Sequence, residues 1–179
     1  MRVCFVCLGN ICRSPMAEAV MRQLVADAGL AGAIELDSAG TSRYHIGDRP
    51  DPRALAEAAR RGVPVDHRAR QLTAEELPRW DLVVGMDRQN VRDVRALAGG
   101  LAFPEARRIE LLRSFDDEAA RGGDLDLPDP YYGEAEDFAA MFDLIESACR
   151  ALLAHLTVEP IAGAGPSAAI ALDQRSDLW

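Results

Sequence analysis

The chain has 179 residues and a formal net charge of −9, and this length suits one domain with a full hydrophobic core. The acidic balance argues against nucleic acid as a partner, because phosphate backbones favour basic surfaces. No signal peptide is visible, no apolar stretch is long enough to span a membrane, and the four cysteines form no disulfide-like framework. The composition therefore predicts a cytoplasmic protein without a membrane span.

The first predicted elements are a strand and a helix, joined by a loop. Residues 3–6 form a short apolar run that is typical of a buried strand. Ser14 followed by Pro15 favours the start of a helix, with Ser14 as its N-cap. The loop between them, residues 7–13, has a thiol at one end and a guanidinium at the other.

This loop is suited to binding a phosphate ester. A loop that enters a helix can point successive backbone N–H groups inward, and the helix dipole adds positive potential. Gly9 and Asn10 are the residues best able to take the left-handed conformations that such a curl requires. Arg13 can hold two phosphate oxygens at once. The same field favours the thiolate of Cys7, which is its nucleophilic form.

Strand and helix patterns alternate along the rest of the chain. Strands are expected at residues 34–38, 81–86 and 108–112, and helices at 14–28, 52–61, 87–97 and 134–156, with a capping box at 73–76 opening a further short helix. Asp51 and Asp87 are the predicted N-caps of the second and third long helices. The alternation predicts a parallel α/β sheet with its ligand at the carboxyl ends of the strands.

The loop pattern Cys-(five residues)-Arg-Ser resembles the phosphate loop of the protein tyrosine phosphatases. The full string CLGNICRSP at residues 7–15 resembles the low-molecular-weight branch, as do HRARQ at 67–71 and DPYY at 129–132. The resemblance covers about residues 2–157, and residues 1–157 are expected to form one phosphatase domain. With the pattern above, it implies a single α/β domain with a four-stranded parallel sheet, helices on both faces, and the phosphate loop between strand 1 and helix 1. Residues 158–179 contain helix-breaking glycines and prolines and are expected to form a mobile tail.

Cleavage of a phosphate ester also needs a proton for the departing oxygen, which a carboxyl on a nearby loop can supply. Asp124, Asp126 and Asp129 are the candidates. Asp129 is favoured because Pro128 and Pro130 stiffen its backbone on both sides. It also matches the general acid of the family in Asp-Pro-Tyr.

The resemblance implies hydrolysis of phosphotyrosine in proteins, and of small aryl phosphates, through a phosphocysteine intermediate. Cys7 is the expected nucleophile, Arg13 the phosphate ligand, and Asp129 the general acid and then the base. The expected partners are tyrosine-phosphorylated proteins, with no kinase indicated. No metal or cofactor is required. Zinc at Cys4, Cys7 and Cys12 is the alternative use of these thiols, but it lacks a fourth ligand.

The other predicted site residues bind the substrate or support the loop. Ser38 is expected to hold Asn10, although a turn serine that merely ends a strand is the alternative, and His67 is expected to join the same network. Cys12 is expected to trap an oxidised Cys7 as a disulfide, or else simply to pack under the loop. The resemblance also makes His45, next to Tyr44 in the chain, a candidate for the wall of the substrate cleft. The predicted substrate-binding residues are Leu8, Gly9, Asn10, Ile11, Cys12, Ser14, Tyr44, Tyr131 and Tyr132. The last two are also candidates for phosphorylation, or an aromatic pair that only precedes a helix.

Three alternative functions remain open. Thiol-coupled arsenate reductases resemble this fold but need two more redox cysteines, and only Cys149 follows Cys12. Arginine phosphatases are a second class, whose members carry threonine at the position of Ile11. A non-catalytic phosphate-binding or redox-sensing module is the third; it would need only Cys7 and Cys12, and does not explain Asp129.

Overall fold

The computed structural model describes residues 1–99 and 108–158. Within these ranges, one parallel sheet contains β1 (Arg2–Cys7), β2 (Glu35–Gly40), β3 (Leu82–Gly85) and β4 (Arg108–Leu111), in the spatial order β2-β1-β3-β4. The helices of the same ranges are α1 (Arg13–Asp27), α2 (Pro52–Arg60), α3 (Arg88–Ala98), α4 (Asp117–Gly122) and α5 (Ala135–Val158), with short 3₁₀ helices at Leu77–Arg79 and Leu112–Phe115. The predicted four-stranded parallel sheet is confirmed.

Helices cover both faces of the sheet, as predicted, because alternate residues of each strand point to opposite sides. Phe5 of β1 packs in a core with residues of α1, α2 and α5, whereas Val6 packs with Trp80 and with Val94 of α3. Every apolar residue predicted for the buried stripe of the last helix is buried in α5: Phe138, Met141, Phe142, Ile145, Cys149, Leu152 and Leu156. The same alternation places Cys4 and Cys7 on opposite faces of β1, so the two thiols do not converge.

The carboxyl ends of β1 and β2 bring two loops together at one edge of the sheet. Cys7, the last residue of β1, lies beside Gly40, the last residue of β2. A Cβ on Gly40 would stand 2.7 Å from the Leu8 carbonyl oxygen, so only glycine lets the backbones approach this closely. The loops that follow these two strands therefore lie side by side.

Two local predictions were wrong. α1 begins at Arg13, and the residue at its N-cap is Cys12, which makes no side-chain capping bond. Ser14 therefore lies inside the first turn, where its hydroxyl contacts Cys7 rather than capping the helix. The capping box at 73–76 opens no α-helix: Glu76 accepts from the Thr73 backbone N–H and also binds the guanidinium of Arg70, but a 3₁₀ helix begins only at Leu77. The N-caps at Asp51 and Asp87 are confirmed.

The predicted tail, residues 158–179, lies outside the described residues apart from Val158, which ends α5. Among the helices of residues 1–99 and 108–158, none is both long enough and apolar enough to cross a membrane.

Candidate active site

The phosphate loop, residues 7–13, curls around the sulfur of Cys7. Asn10 has a φ of +57°, the left-handed conformation predicted for it, and its backbone N–H donates to Cys7 Sγ at 3.2 Å. The same prediction was wrong for Gly9, which is not among the glycines with positive φ. Gly9 instead provides space, since a Cβ there would lie 3.1 Å from Cδ2 of His45. Within this loop, Asn10 is therefore the residue with the left-handed backbone conformation.

The side chain of Asn10 is buried and uses its amide fully, which holds this backbone conformation in place. Its Nδ2 donates to Ser14 Oγ at 2.9 Å and to Ser38 Oγ at 3.0 Å. Its Oδ1 accepts from the backbone N–H of Arg70 at 2.9 Å and lies 2.9 Å from Nε2 of His67. Because an amide oxygen can only accept, Nε2 of His67 must carry a proton.

A second layer of polar groups supports this network. The hydroxyl of Ser38 donates to Oε2 of Glu18 at 2.7 Å, and Nδ1 of His67 lies 3.5 Å from the same carboxylate oxygen. Burial lowers the pKa of His67, while the negative charge of Glu18 acts in the opposite direction. The predicted support residues Ser38 and His67 thus both contact Asn10, and the Glu18 carboxylate lies close to both of them.

The Ser14 hydroxyl lies 3.1 Å from Cys7 Sγ. Since Ser14 Oγ already accepts from Asn10, its hydrogen is free to point at the sulfur, which is closer than the Ala39 carbonyl oxygen at 3.4 Å. The sulfur of Cys7 therefore receives donors from Ser14 and from the Asn10 backbone, at the N-terminus of α1. These donors and the helix dipole stabilise negative charge on the sulfur.

Arg13 is 3% exposed and donates to three groups, one at the N-cap of α3 and two on the segment between α4 and α5. Nη1 donates to Oδ2 of Asp87 at 2.6 Å and to the Leu127 carbonyl at 3.1 Å, and Nη2 donates to Oδ2 of Asp129 at 2.5 Å. Burial opposes the charge, but Cys7, Asp129 and Asp87 outweigh it and raise the pKa of Arg13. Nε is buried and has no acceptor among the described residues, so it remains available to an oxygen in the cavity.

Asp129 lies on the acid loop, residues 123–134, between α4 and α5. Its Oδ1 accepts from the Tyr131 backbone N–H at 3.1 Å, and its side chain is 42% exposed at the mouth of the site. The other two candidate acids are occupied elsewhere, because Asp124 pairs with Arg113 at 3.2 Å and Asp126 with Arg88 at 2.8 Å. Among the three, Asp129 is the one that faces Cys7 and Arg13.

Together these groups enclose a cavity of about 360 Å³. Its lining residues are Cys7, Leu8, Gly9, Ile11, Cys12, Arg13, Tyr44, His45, Asp129, Tyr131 and Tyr132. Two predicted substrate-binding residues, Asn10 and Ser14, are fully buried and do not line the cavity; they hold the loop from beneath. The mouth is aromatic, with Tyr44 80% and Tyr132 96% exposed. The site thus combines a thiol, a guanidinium and a carboxyl under a rim of tyrosines.

A model of the family described as low molecular weight phosphotyrosine protein phosphatase matches residues 2–161. The chain belongs to this family. The low molecular weight protein-tyrosine-phosphatase of Streptomyces coelicolor is 50% identical over 153 residues, which are 86% of this chain and 92% of that protein. The crystal structure of YfkJ from Bacillus subtilis is 38% identical, with a TM-score of 0.78 over 88% of this chain and 94% of that chain. That of DARP, a drosophila arginine phosphatase, is 31% identical, with a TM-score of 0.80 over 87% and 97%.

The protein is therefore a phosphatase of this family, and its structure contains site residues that the sequence did not single out. Asp87 was predicted only as an N-cap; its Oδ1 accepts from the Asn90 backbone while its Oδ2 binds Arg13. No role was predicted for Glu18, a residue of α1 that accepts a hydrogen bond from Ser38. His45, by contrast, was a candidate beside Tyr44; it lines the cavity, and its Nδ1 lies 3.0 Å from Oδ2 of Asp48. Asp87 and Glu18 act on residues distant in the chain, Arg13 and Ser38, and no local pattern indicated these contacts.

Cys149, the one cysteine that follows Cys12, lies in the core on α5, where burial raises the pKa of its thiol. It does not line the cavity of the phosphatase. Arsenate reduction, for which a pair of accessible cysteines was required, gains no support from this arrangement.

Proposed function

We propose that this phosphatase hydrolyses phosphotyrosine in proteins, and small aryl phosphates, with Cys7 as nucleophile, Arg13 as phosphate ligand and Asp129 as general acid and base. The observation that carries the proposal is the convergence of these three side chains on one cavity. A thiolate, a buried cation and an exposed carboxyl are the three groups that cleavage of a phosphate monoester needs.

The reaction takes place in two displacements. The Cys7 sulfur attacks phosphorus, the bond from phosphorus to the phenolic oxygen breaks, and Asp129 gives that oxygen its proton. This leaves a phosphocysteine and an Asp129 carboxylate. A water molecule then attacks the phosphocysteine while Asp129 takes its proton, which releases phosphate and restores both side chains.

Arg13 changes partners during this cycle. In the structure its Nη2 binds Asp129, while its Nε is buried without an acceptor among the described residues. A phosphate dianion accepts two parallel bonds from a guanidinium more favourably than one carboxylate oxygen accepts a single bond. Phosphate binding through Nε and Nη2 therefore releases Asp129 toward the leaving oxygen. Asp87 stays on Nη1 throughout and keeps the guanidinium oriented.

The rim favours an aromatic leaving group. Tyr44, Tyr131 and Tyr132 all line the cavity, and the Tyr131 and Tyr132 rings meet edge to face at a centroid distance of 5.0 Å. A phosphotyrosine ring that enters the cavity beside them gains aromatic contact that phosphoserine cannot make. The three tyrosines therefore act in substrate selection.

The test is to measure turnover of matched peptides that carry phosphotyrosine, phosphoserine or phosphoarginine, with Cys7→Ser as the control for contaminating activity. We expect the highest kcat/KM on phosphotyrosine. A preference for phosphoarginine would assign the phosphatase to the chemistry that the name of DARP describes.

Ile11 is the residue at which we place the choice between phosphotyrosine and phosphoarginine. It lines the cavity, and threonine there replaces apolar contact with a hydroxyl. Ile11→Thr is expected to lower the ratio of kcat/KM for phosphotyrosine over phosphoarginine about tenfold. Ile34→Thr is the matched control, because Ile34 is equally buried, at 8% exposure, but lies outside the cavity. If Ile11→Thr leaves the ratio of kcat/KM for phosphotyrosine over phosphoarginine unchanged, the specificity depends on Tyr44 and Tyr131 instead.

We also propose redox regulation, in which Cys12 captures oxidised Cys7. Both thiols are free and both line the cavity. Burial, with a contribution from Asp51, raises the pKa of Cys12, whereas the Cys7 sulfur lies within hydrogen-bond distance of Ser14 and the Asn10 backbone N–H. We therefore expect peroxide to oxidise Cys7 first, to a sulfenic acid, which the Cys12 thiol converts to a disulfide with release of water. After peroxide and then a thiol reductant, the unmodified protein should recover most of its activity and Cys12→Ser should not. Cys149→Ser is the control variant. Equal recovery of activity in the unmodified protein, Cys12→Ser and Cys149→Ser would mean that Cys12 only packs under the loop.

A nucleophile of this kind must remain reduced, and we therefore place the phosphatase in the cytoplasm, with residues 1–157 as its catalytic domain. Its proposed partners are tyrosine-phosphorylated proteins.

A further inference from the structure

Arg53, in the first turn of α2, connects two elements that both reach the active site. Its Nη2 donates to the Tyr131 carbonyl at 2.9 Å and its Nη1 to the Gly133 carbonyl at 2.8 Å. These carbonyls lie two and four residues after Asp129, on the acid loop. Arg53 itself does not line the cavity.

The same guanidinium is tied to the phosphate loop through Asp51. Arg53 Nε donates to Oδ1 of Asp51 at 3.0 Å and Nη2 to Oδ2 at 2.8 Å. The backbone N–H of Asp51 in turn donates to the carbonyl of Ile11 at 2.8 Å. A short chain of hydrogen bonds thus leads from the phosphate loop, through Asp51 and Arg53, to the acid loop.

The guanidinium is also fixed in its plane. It lies 4.5 Å from the centroid of the Phe138 ring, at the start of α5. Its side chain makes four hydrogen bonds with Asp51 and the two carbonyls, out of the five donors that an arginine has. A lysine ammonium is a point charge that cannot bind the carboxylate and both carbonyls while stacking on the ring.

We propose that Arg53 is a positioning residue for proton transfer, because it holds the acid loop, and with it Asp129, in register with Cys7. The proposal rests on the proposed role of Asp129. Arg53 does not line the cavity, so the proposed role does not require it to touch the substrate. Catalytic geometry is sensitive to small displacements, and a shift of about 1 Å in a reacting group can cost roughly 10²-fold in rate.

Arg61 is a matched control, because it makes the same kinds of contact away from the site. It follows the last residue of α2, its guanidinium lies 4.9 Å from the centroid of Phe142, and its Nη2 donates to the carbonyl of Ala139. It also binds Glu57, as Arg53 binds Asp51. Arg61 thus joins α2 to α5 without contacting the acid loop.

The experiment measures kcat/KM for phenyl phosphate, a poor leaving group, and for 2,4-dinitrophenyl phosphate, a good one. Arg53→Met keeps the apolar stem and removes the donors. We expect it to lower kcat/KM at least about tenfold for phenyl phosphate and no more than about threefold for 2,4-dinitrophenyl phosphate, because only the former needs the proton. For phenyl phosphate, the kcat/KM of Arg53→Lys should lie between those of the unmodified protein and Arg53→Met. Arg61→Met should change both substrates by the same factor.

Measurement of Asp129→Asn and of the double variant Asp129→Asn/Arg53→Met separates the possible failures. Once the acid is removed, Arg53→Met should lower kcat/KM for phenyl phosphate by no more than about threefold further, the same limit as for 2,4-dinitrophenyl phosphate, since the two residues act on one step. Equal losses on both substrates in Arg53→Met, or a full additional loss in the double variant, would overturn the proposal alone. A flat leaving-group response in Asp129→Asn itself would overturn both the acid assignment and the proposal. Thermal unfolding of Arg53→Met and Arg61→Met distinguishes loss of stability from loss of position.

Discussion

Replacement of Cys7 by serine is expected to lower kcat by about 10⁴-fold or more, as removal of a covalent nucleophile does in other enzymes. The loss follows from the position of Cys7 Sγ, which receives donors from Ser14 and the Asn10 backbone at the N-terminus of α1. These donors stabilise a thiolate, whereas a serine hydroxyl holds its proton far more tightly and has no base within this loop to remove it. The measurement is steady-state turnover of an aryl phosphate, with acid quenching to trap phosphoenzyme in the unmodified protein.

Cys4→Ala is the matched control for this substitution. Cys4 belongs to the same strand and is equally buried, but it packs on the opposite face of the sheet. It should retain the activity of the unmodified protein. Residual activity in Cys7→Ser above about a hundredth would exclude the covalent route. Arg13→Lys complements both variants, because it keeps a positive charge beside Asp87 but loses the planar fork, and it should also abolish most turnover.

Asp129→Asn is expected to reduce kcat/KM by about 10²–10³-fold for phenyl phosphate, the range typical of general acid catalysis, and far less for 2,4-dinitrophenyl phosphate. An asparagine side chain fits the same space and can still contact the Tyr131 N–H through its oxygen. It cannot deliver a proton, so the loss should grow as the leaving group becomes more basic. The measurement is a series of aryl phosphates with graded leaving groups.

Asp126→Asn is the control from the same loop. Asp126 binds the backbone and side chain of Arg88 on α3 and does not line the cavity. Its replacement should affect all members of the series equally, through the position of the loop. If Asp126→Asn instead shows the dependence on the leaving group and Asp129→Asn does not, Asp126 is the acid.

The phosphate loop is recognisable from the amino-acid sequence because its parts lie close together in the chain. Cys7 and Arg13 are six residues apart, and a strand that runs into a helix leaves few ways to arrange the residues between them. The N-caps at Asp51 and Asp87 are equally local, because a carboxylate binds backbone N–H groups two or three residues onward. The buried stripe of α5 follows from the helical period.

Where local signals competed, the sequence was a poorer guide. Ser14 is a good N-cap by residue type, but its hydroxyl bonds with Asn10 and Cys7, and the N-cap of α1 lies two residues earlier, at Cys12. Gly9 and Asn10 looked equally suited to a left-handed turn. Asn10 is held there by the hydrogen bonds that it accepts from the Arg70 backbone and donates to Ser38, and neither residue lies near it in sequence.

The contacts that organise the site join residues far apart in the chain. Arg13 binds Asp87 across 74 residues and Asp129 across 116, and Arg53 reaches the carbonyls of Tyr131 and Gly133 across about 80. No periodicity or spacing predicts such pairs, because they depend on parallel strands and their crossover helices returning each loop to the same edge of the sheet. The amino-acid sequence of residues 7–15 therefore determines the chemistry of the loop by itself, whereas the packing of the whole domain decides which residues orient Arg13 and Asp129.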